Sequence, residues 1–229
     1  MAARSQAQAA RTAGRRSPRV AVRENQRRRE ELIEIACGVF AERGFDGASL
    51  QEIADRFGVL KGSLFHYINN KDDLLFAIIE GVYQGAEEAI WPIAAEDDTA
   101  VSRLRRLIIA YVVYVAEHQA AVTVWLHDLN ALEPARRKSI LVYEERDRRR
   151  LMGLIGEAQR EGGIRADADP RLVSMALLGA MNWVHRWFRP GRLSARQVGE
   201  ELSRVFLDES APDPLRPDPA PAAARARVN

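Results

Sequence analysis

Residues 50–71, LQEIADRFGVLKGSLFHYINNK, decide how this chain is read. Leu50, Ile53, Ala54 and Phe57 recur at helical spacing, Gly58 supplies a break, and Lys61 to Tyr67 resume a helix with small and polar residues on its outer side. The spacing predicts two short helices joined by a tight turn. In a helix-turn-helix the first helix braces against the phosphate backbone, and the second lies in a major groove about 12 Å wide. Lys61, Gly62 and Ser63 would let that second helix approach closely.

The chain of 229 residues is long enough for a small nucleic-acid-binding unit and a larger domain with its own core. Few aromatics and little strand-like alternation favour helices, so the expected fold class is all-α. One cysteine, Cys37, excludes an internal disulfide framework, and the four histidines show no short metal-ligand spacing. No metal or cofactor is expected. The longest apolar runs, LIIAYVVYV from Leu107 and MALLGAMNWV from Met175, fall short of the roughly 18 residues of a membrane span. The arginines near the start precede no apolar segment of a secretory signal. The expectation is a cytoplasmic protein without a membrane partner.

Charge is uneven. Residues 1–29 hold nine arginines and one acid, about +8, so a net charge of +2 leaves the other 200 residues at about −6. Residues 30–75 carry Arg43, Arg56, Lys61 and Lys71 against nine acids, an acidic balance for a surface meant to meet phosphates. Residues 1–24 have almost nothing to bury and are expected to be a disordered basic arm, either a solvated tail or a DNA-contacting extension. A first helix follows from about Asn25 to Glu42, with Leu32, Ala36, Val39 and Phe40 on one stripe and Gly44 ending it. Ser49, with Glu52 three residues on, predicts a capping box at the start of the next helix.

FAERGFDGASLQEIADRFGV followed by KGSLFHYINNKDDLL resembles the N-terminal domain of the tetracycline-repressor (TetR) family of bacterial transcriptional regulators. Gly44, Phe45, Ser49, Ile53, Ala54, Gly58, the run Lys61-Gly62-Ser63, Lys71 and Leu74 carry the resemblance. It implies a three-helix helix-turn-helix domain over 25–70 and a helical effector-binding and dimerisation domain over 71–209; residues 210–229, Pro- and Ala-rich without a continuous apolar face, are expected to be a disordered tail. It also implies DNA contacts: Ser49 and Lys71 to phosphates, and Lys61, Gly62, Ser63, His66 and Tyr67 at the major groove or its edge. The chemistry agrees, since Lys and Ser donate to phosphate oxygens or base edges and Gly removes bulk. Packing against neighbouring helices is the alternative for His66 and Tyr67. Three positions depart from the family pattern: Leu60 where Ser or Thr caps the helix, Phe65 where Tyr is usual and Ile68 where Phe is usual. A lost cap typically costs about 1 kcal/mol, unless Leu60 buries itself instead.

Further along, Leu74, Leu75, Ile78, Ile79, Val82 and Tyr83 predict a helix from Lys71 to the Trp91-Pro92 break. Helices are also expected after AAEDDTA, around Trp125, from Glu133-Pro134 to about Glu161, after Asp169-Pro170 and from Ala195 to Leu207. The last two, with small residues Ser174, Ala176, Gly179 and Ala180, suit a four-helix dimer seam. A dimer would place two recognition helices roughly 34 to 36 Å apart, as half-site reading requires.

The segment NWVHRWFRPG, 182–191, is similar to segments of TetR regulators that respond to acyl-coenzyme A thioesters in lipid, steroid or aromatic-acid breakdown. Trp125, Arg149, Trp183, Arg186 and Trp187 are the candidate effector contacts: indoles for an acyl chain or adenine ring, guanidiniums for phosphates. An aromatic cluster at the dimer seam explains the same tryptophans. No catalytic constellation is visible, so a non-enzymatic role is expected. The leading expectation is a homodimeric repressor that binds a palindromic operator and is released by an amphipathic effector such as an acyl-CoA. The alternatives are an efflux regulator sensing hydrophobic drug-like compounds and an effector-independent architectural DNA-binding protein.

Overall fold

The computed structural model describes residues 18–207. Within them the chain is helical, in the order α1 (Pro18–Gly47), α2 (Leu50–Phe57), α3 (Lys61–Leu64), α4 (Lys71–Ala89), α5 (Ala100–Glu117), α6 (Gln119–Asp128), α7 (Pro134–Arg160), α8 (Pro170–Trp187) and α9 (Ala195–Phe206). Short 3-10 turns at Trp91–Ala95 and Leu129–Ala131 link neighbours, and no strand occurs among the described residues. The chain divides into two compact units: one reaches Ile79 and also takes Val124–Glu133, and the other holds Glu80–Thr123 and everything from Pro134.

The first unit is organised by the α1 stripe. Leu32, Ala36, Val39 and Phe40 are almost wholly buried, as are Ile53 and Ala54 of α2, Leu64 of α3 and Leu74 and Leu75 of α4. Each helix contributes one apolar face to a single small core. Gly44 (φ 72°) and Gly58 (φ 76°) end α1's regular path and α2 in the left-handed region, where a side chain would be strained. Ser49 accepts the Glu52 backbone N–H at 3.1 Å, which is half of the expected capping box. The other half is not made, because the Glu52 carboxylate instead accepts from Arg43 and Arg56, each at 2.9 Å.

Two expected boundaries move. The helix begins at Pro18 rather than near Asn25, so residues 18–24 of the expected arm are helical. Proline suits a first helical turn, and side-chain pairs such as Gln26–Glu30 (2.9 Å) and Arg28–Glu31 (2.8 Å) support a helix that buries little. The rest of the arm, 1–17, and the Pro/Ala-rich tail, 210–229, lie outside the described residues. The division between units falls inside α4 after Ile79, nine residues beyond the expected 70/71 boundary. Side-chain bonds explain this: Lys71 reaches the carbonyls of Phe45 and Ala48, and buried Asp72 accepts the Glu133 backbone N–H at 3.0 Å. These contacts tie the start of α4 and the segment 124–133 to the first unit.

In the second unit α5 is the central element. Val101, Leu104, Leu107, Ile108, Val112, Tyr114 and Val115 are buried, and α7, α8 and α9 all pack on it. Its N-terminus is closed by Thr99 and by the Glu161 carboxylate, which accepts from the backbone of Ala100 (2.9 Å) and Val101 (3.0 Å). A carboxylate there pairs orphan donors and meets the positive end of the helix dipole. Asp169 caps α8 and a full Ser194–Gln197 capping box opens α9. No single helix among the described residues is long and apolar enough to cross a membrane.

Candidate nucleic-acid interface

The geometry of 49–71 is that of a helix, a left-handed glycine turn and a second short helix. Gly58 donates its N–H toward Ala54 and Asp55, and Leu60, in extended conformation, starts α3 without a side-chain cap bond. Leu64 and Ile68 anchor α3 in the core, while Lys61, Gly62 and His66 are exposed and Ser63 is half-buried. Leu60 is 81% exposed, so the expected compensation by burial does not occur. Tyr67 is half-buried with its ring edge-on to Phe57 at 5.7 Å, and the Arg28 guanidinium covers the same Phe57 ring at 4.2 Å. Tyr67 therefore has the packing role that competes with a groove contact.

The acidic balance of this unit is largely absorbed internally. Arg56 holds Glu42 with two bonds (3.0 and 2.7 Å) and shares Glu52 with Arg43, linking α1 to α2. The Arg56 hydrogen bonds hold the Glu42 carboxyl below its ordinary range. Asp73 caps the turn before α4 through the Asn69 N–H, at 2.6 Å. Lys71 is half-buried, with Nζ 2.7 Å from the Phe45 carbonyl, 3.1 Å from that of Ala48 and 4.2 Å from the Phe45 ring centroid. Two of its three ammonium protons are thus committed to the backbone, leaving one for a phosphate. Among the four cations of 30–75, Lys61 alone has its whole ammonium outward and uncommitted.

A model of "Bacterial regulatory proteins, tetR family" matches residues 32–78, and a model of a "Tetracyclin repressor-like, C-terminal domain" matches 97–209. The transcriptional repressor KstR2 of Mycobacterium tuberculosis is 30% identical over 183 residues, 79% of this chain and 91% of its own length. The chain belongs to the TetR family. It is a DNA-binding helix-turn-helix regulator with α2 and α3 as the motif. Two solved structures resemble it. One is AibR in complex with isovaleryl coenzyme A and operator DNA, 29% identical, TM-score 0.72, covering 78% of this chain and 97% of that one. The other is the ketosteroid transcriptional regulator KstR2 of Mycobacterium tuberculosis, 28% identical, TM-score 0.73, covering 80% and 96%.

In this TetR-family chain the five expected effector residues are divided between the two units. Trp125 belongs to the first unit and the other four to the second. Arg149 is exposed and paired with Glu145 at 2.6 Å. Trp183 (60% exposed), Arg186 and Trp187 lie on the outward side of α8. Leu172, Met175, Gly179, Trp183 and Trp187 form one exposed stripe at three-to-four-residue intervals, which a sequence reading of a generally apolar helix does not separate from its buried face. The arginine run of α7 is also spent on carboxylates: Arg146 and Arg150 both reach Glu87 Oε2 at 2.7 Å, and Arg148 reaches Glu145.

The second unit instead gathers polar groups the sequence reading did not single out. Tyr111 of α5 donates to Asn182 Oδ1 of α8 at 2.7 Å, and burial pushes the Tyr111 phenol above its ordinary range, reinforced by the Asp147 charge. Burial likewise raises Asp147 on α7, against the opposing pull of Arg146. Tyr83 stacks on Tyr143 at 5.7 Å, and Arg146 lies over the Tyr143 ring at 5.3 Å. An asparagine amid apolar residues in MALLGAMNWV and a tyrosine within LIIAYVVYV were the available signals.

Proposed function

We propose that the chain is a homodimeric repressor that binds a palindromic operator and is released by a small amphipathic effector, an acyl-CoA thioester. The observation that carries this reading is the likeness, over more than three quarters of the chain, to AibR, which was solved with isovaleryl coenzyme A and operator DNA. The relationship to KstR2, a ketosteroid regulator, points the same way. The exposed stripe of α8, with Val205 of α9 also 76% exposed, supports the dimer, since apolar rows of this length are normally covered. This reading moves Trp183 and Trp187 to the subunit seam. Lys61, Gly62, Ser63 and His66 then face the groove, with Ser49, Tyr67 and the remaining proton of Lys71 at its phosphate edge.

The Tyr111–Asn182 pair supplies the effector's polar contact. Among the described residues the Asn182 amide nitrogen has no acceptor, and the neighbouring Asp147 carboxylate disfavours a free acid relative to an uncharged thioester carbonyl. A differential affinity for the DNA-incompetent state is what releases the operator. Thermal-shift titration with acyl-CoAs, the matching free acids and hydrophobic cationic dyes tests this. Stabilisation by thioesters, lost in Tyr111→Phe together with operator release, is the expected result. Stabilisation by cationic dyes alone would replace the thioester reading with that of a drug-sensing efflux regulator.

A further inference from the structure

The recognition helix exposes two apolar side chains that its own packing does not use. Leu60, at the N-cap of α3, is 81% exposed and Phe65, at the C-cap, is 52% exposed, whereas Leu64 and Ile68 are 0% and 5%. Leu64 and Ile68 therefore satisfy the core, and Leu60 and Phe65 are left to water in the isolated chain. Phe65, with its backbone still in the helical region, follows Lys61 by one turn at the end of α3, and Gly62 and His66 beside them are exposed. Leu60, Lys61, Gly62 and Phe65 are all exposed, so the apolar pair brackets the free Lys61 ammonium and the bulk-free Gly62 on the helix that a DNA-binding helix-turn-helix turns to the major groove.

What covers them there is limited by base chemistry. The major-groove edges of guanine, cytosine and adenine present donors and acceptors; thymine adds one apolar group, its C5 methyl. Leucine and phenylalanine cannot satisfy a donor or acceptor, and desolvating one without a partner is unfavourable. We propose that Leu60 and Phe65 read thymine methyl groups in each operator half-site, flanking the position addressed by Lys61. This rests on the DNA-binding role of the motif and adds a sequence preference to it. It also gives a reason for a leucine where a hydroxyl cap would stabilise the helix: the cap is exchanged for readout.

The test uses the full-length protein and an operator selected from random duplexes. Each half-site thymine is then replaced singly by deoxyuridine, which deletes the methyl and keeps base pairing, and affinity is measured by fluorescence anisotropy at fixed salt. A buried methyl contributes about 0.8 kcal/mol, so the expected loss is about four-fold at each read position. Leu60→Ser, which restores a cap hydroxyl and so leaves the helix sound, should abolish the uracil penalty at one position, and Phe65→Ala at another. Wild-type affinity unchanged by every uracil substitution would overturn the proposal, as would equal penalties in wild type and both variants. Failure to select any specific duplex would sink the regulator reading with it, whereas specific binding that ignores the methyls sinks the readout alone.

Discussion

Replacing Lys71 by methionine separates two roles that one side chain has been assigned. The substitution keeps most of the aliphatic stem and removes the ammonium, which donates to Phe45 O at 2.7 Å and Ala48 O at 3.1 Å and sits 4.2 Å from the Phe45 ring centroid. Hydrogen bonds from a charged group are worth about 1.5–3 kcal/mol each, and a cation–π contact at a partly exposed site about 0.5–1 kcal/mol. These terms share one ammonium and do not add fully, and the freed carbonyls recover some solvent, so the net loss should be about 2–3 kcal/mol. With a urea dependence of about 1–3 kcal/mol per molar, the first unit's unfolding midpoint should fall by roughly 1–2 M. The assay is urea denaturation followed by helical circular dichroism, paired with operator binding across a salt series. If Lys71 both pins the 45–48 turn and gives its remaining proton to a phosphate, the midpoint drops and the slope of log affinity against log salt becomes shallower by about one. An unchanged midpoint with a slope shallower by about one would refute this, because that is the signature of one lost phosphate contact alone.

Three further outcomes follow from the packing. At Gly199 an added Cβ would lie 2.8 Å from Ile109 Cα and 3.3 Å from Ile109 O, a collision with backbone. Gly199→Ala should therefore lower stability by about 1–2 kcal/mol in thermal or urea unfolding, overpacking outweighing the roughly 1 kcal/mol helix-propensity gain. Trp183→Glu, on the exposed stripe of α8, should shift the protein to monomer in light scattering and weaken operator binding at least ten-fold, with helical content retained. Burial pushes the Cys37 thiol up to about 11 from 9.0, with the Glu34 charge adding to the effect. The unfolded chain thus loses this proton first, so the contribution is intact below pH 9 and is lost as pH rises through about 11, for about 2–3 kcal/mol in all. The stability difference between wild type and Cys37→Ala, measured by urea unfolding from pH 8 to 11, should change by that amount.

Helix identities were legible because they rest on interactions between residues close in sequence. The Leu32–Phe40 stripe, the Ser49 cap, Gly58 and Asp169-Pro170 each act within a turn or two, and all of them stand in the structure. The start of α1 is not legible from an apolar stripe, because Val20, Val22, Arg23 and Glu24 are exposed and local propensity carries the helix there. The capping box was half-missed for a different reason. Glu52 is within reach of its own cap, but Arg43 and Arg56, brought alongside by the packing of α1 on α2, offer a stronger partner.

The sequence by itself determined the all-helical fold, the register of the helix-turn-helix and the family. Tertiary structure alone decided which way side chains face: the Lys71 ammonium onto two carbonyls, Leu60 and Phe65 outward, Trp183 and Trp187 along an exposed stripe, and Tyr111 onto Asn182 71 positions away. The physical reason is rotational. Periodicity places residues around a helix, but a helix that is apolar on several sides, as α8 is, has no preferred rotation until its neighbours pack against it.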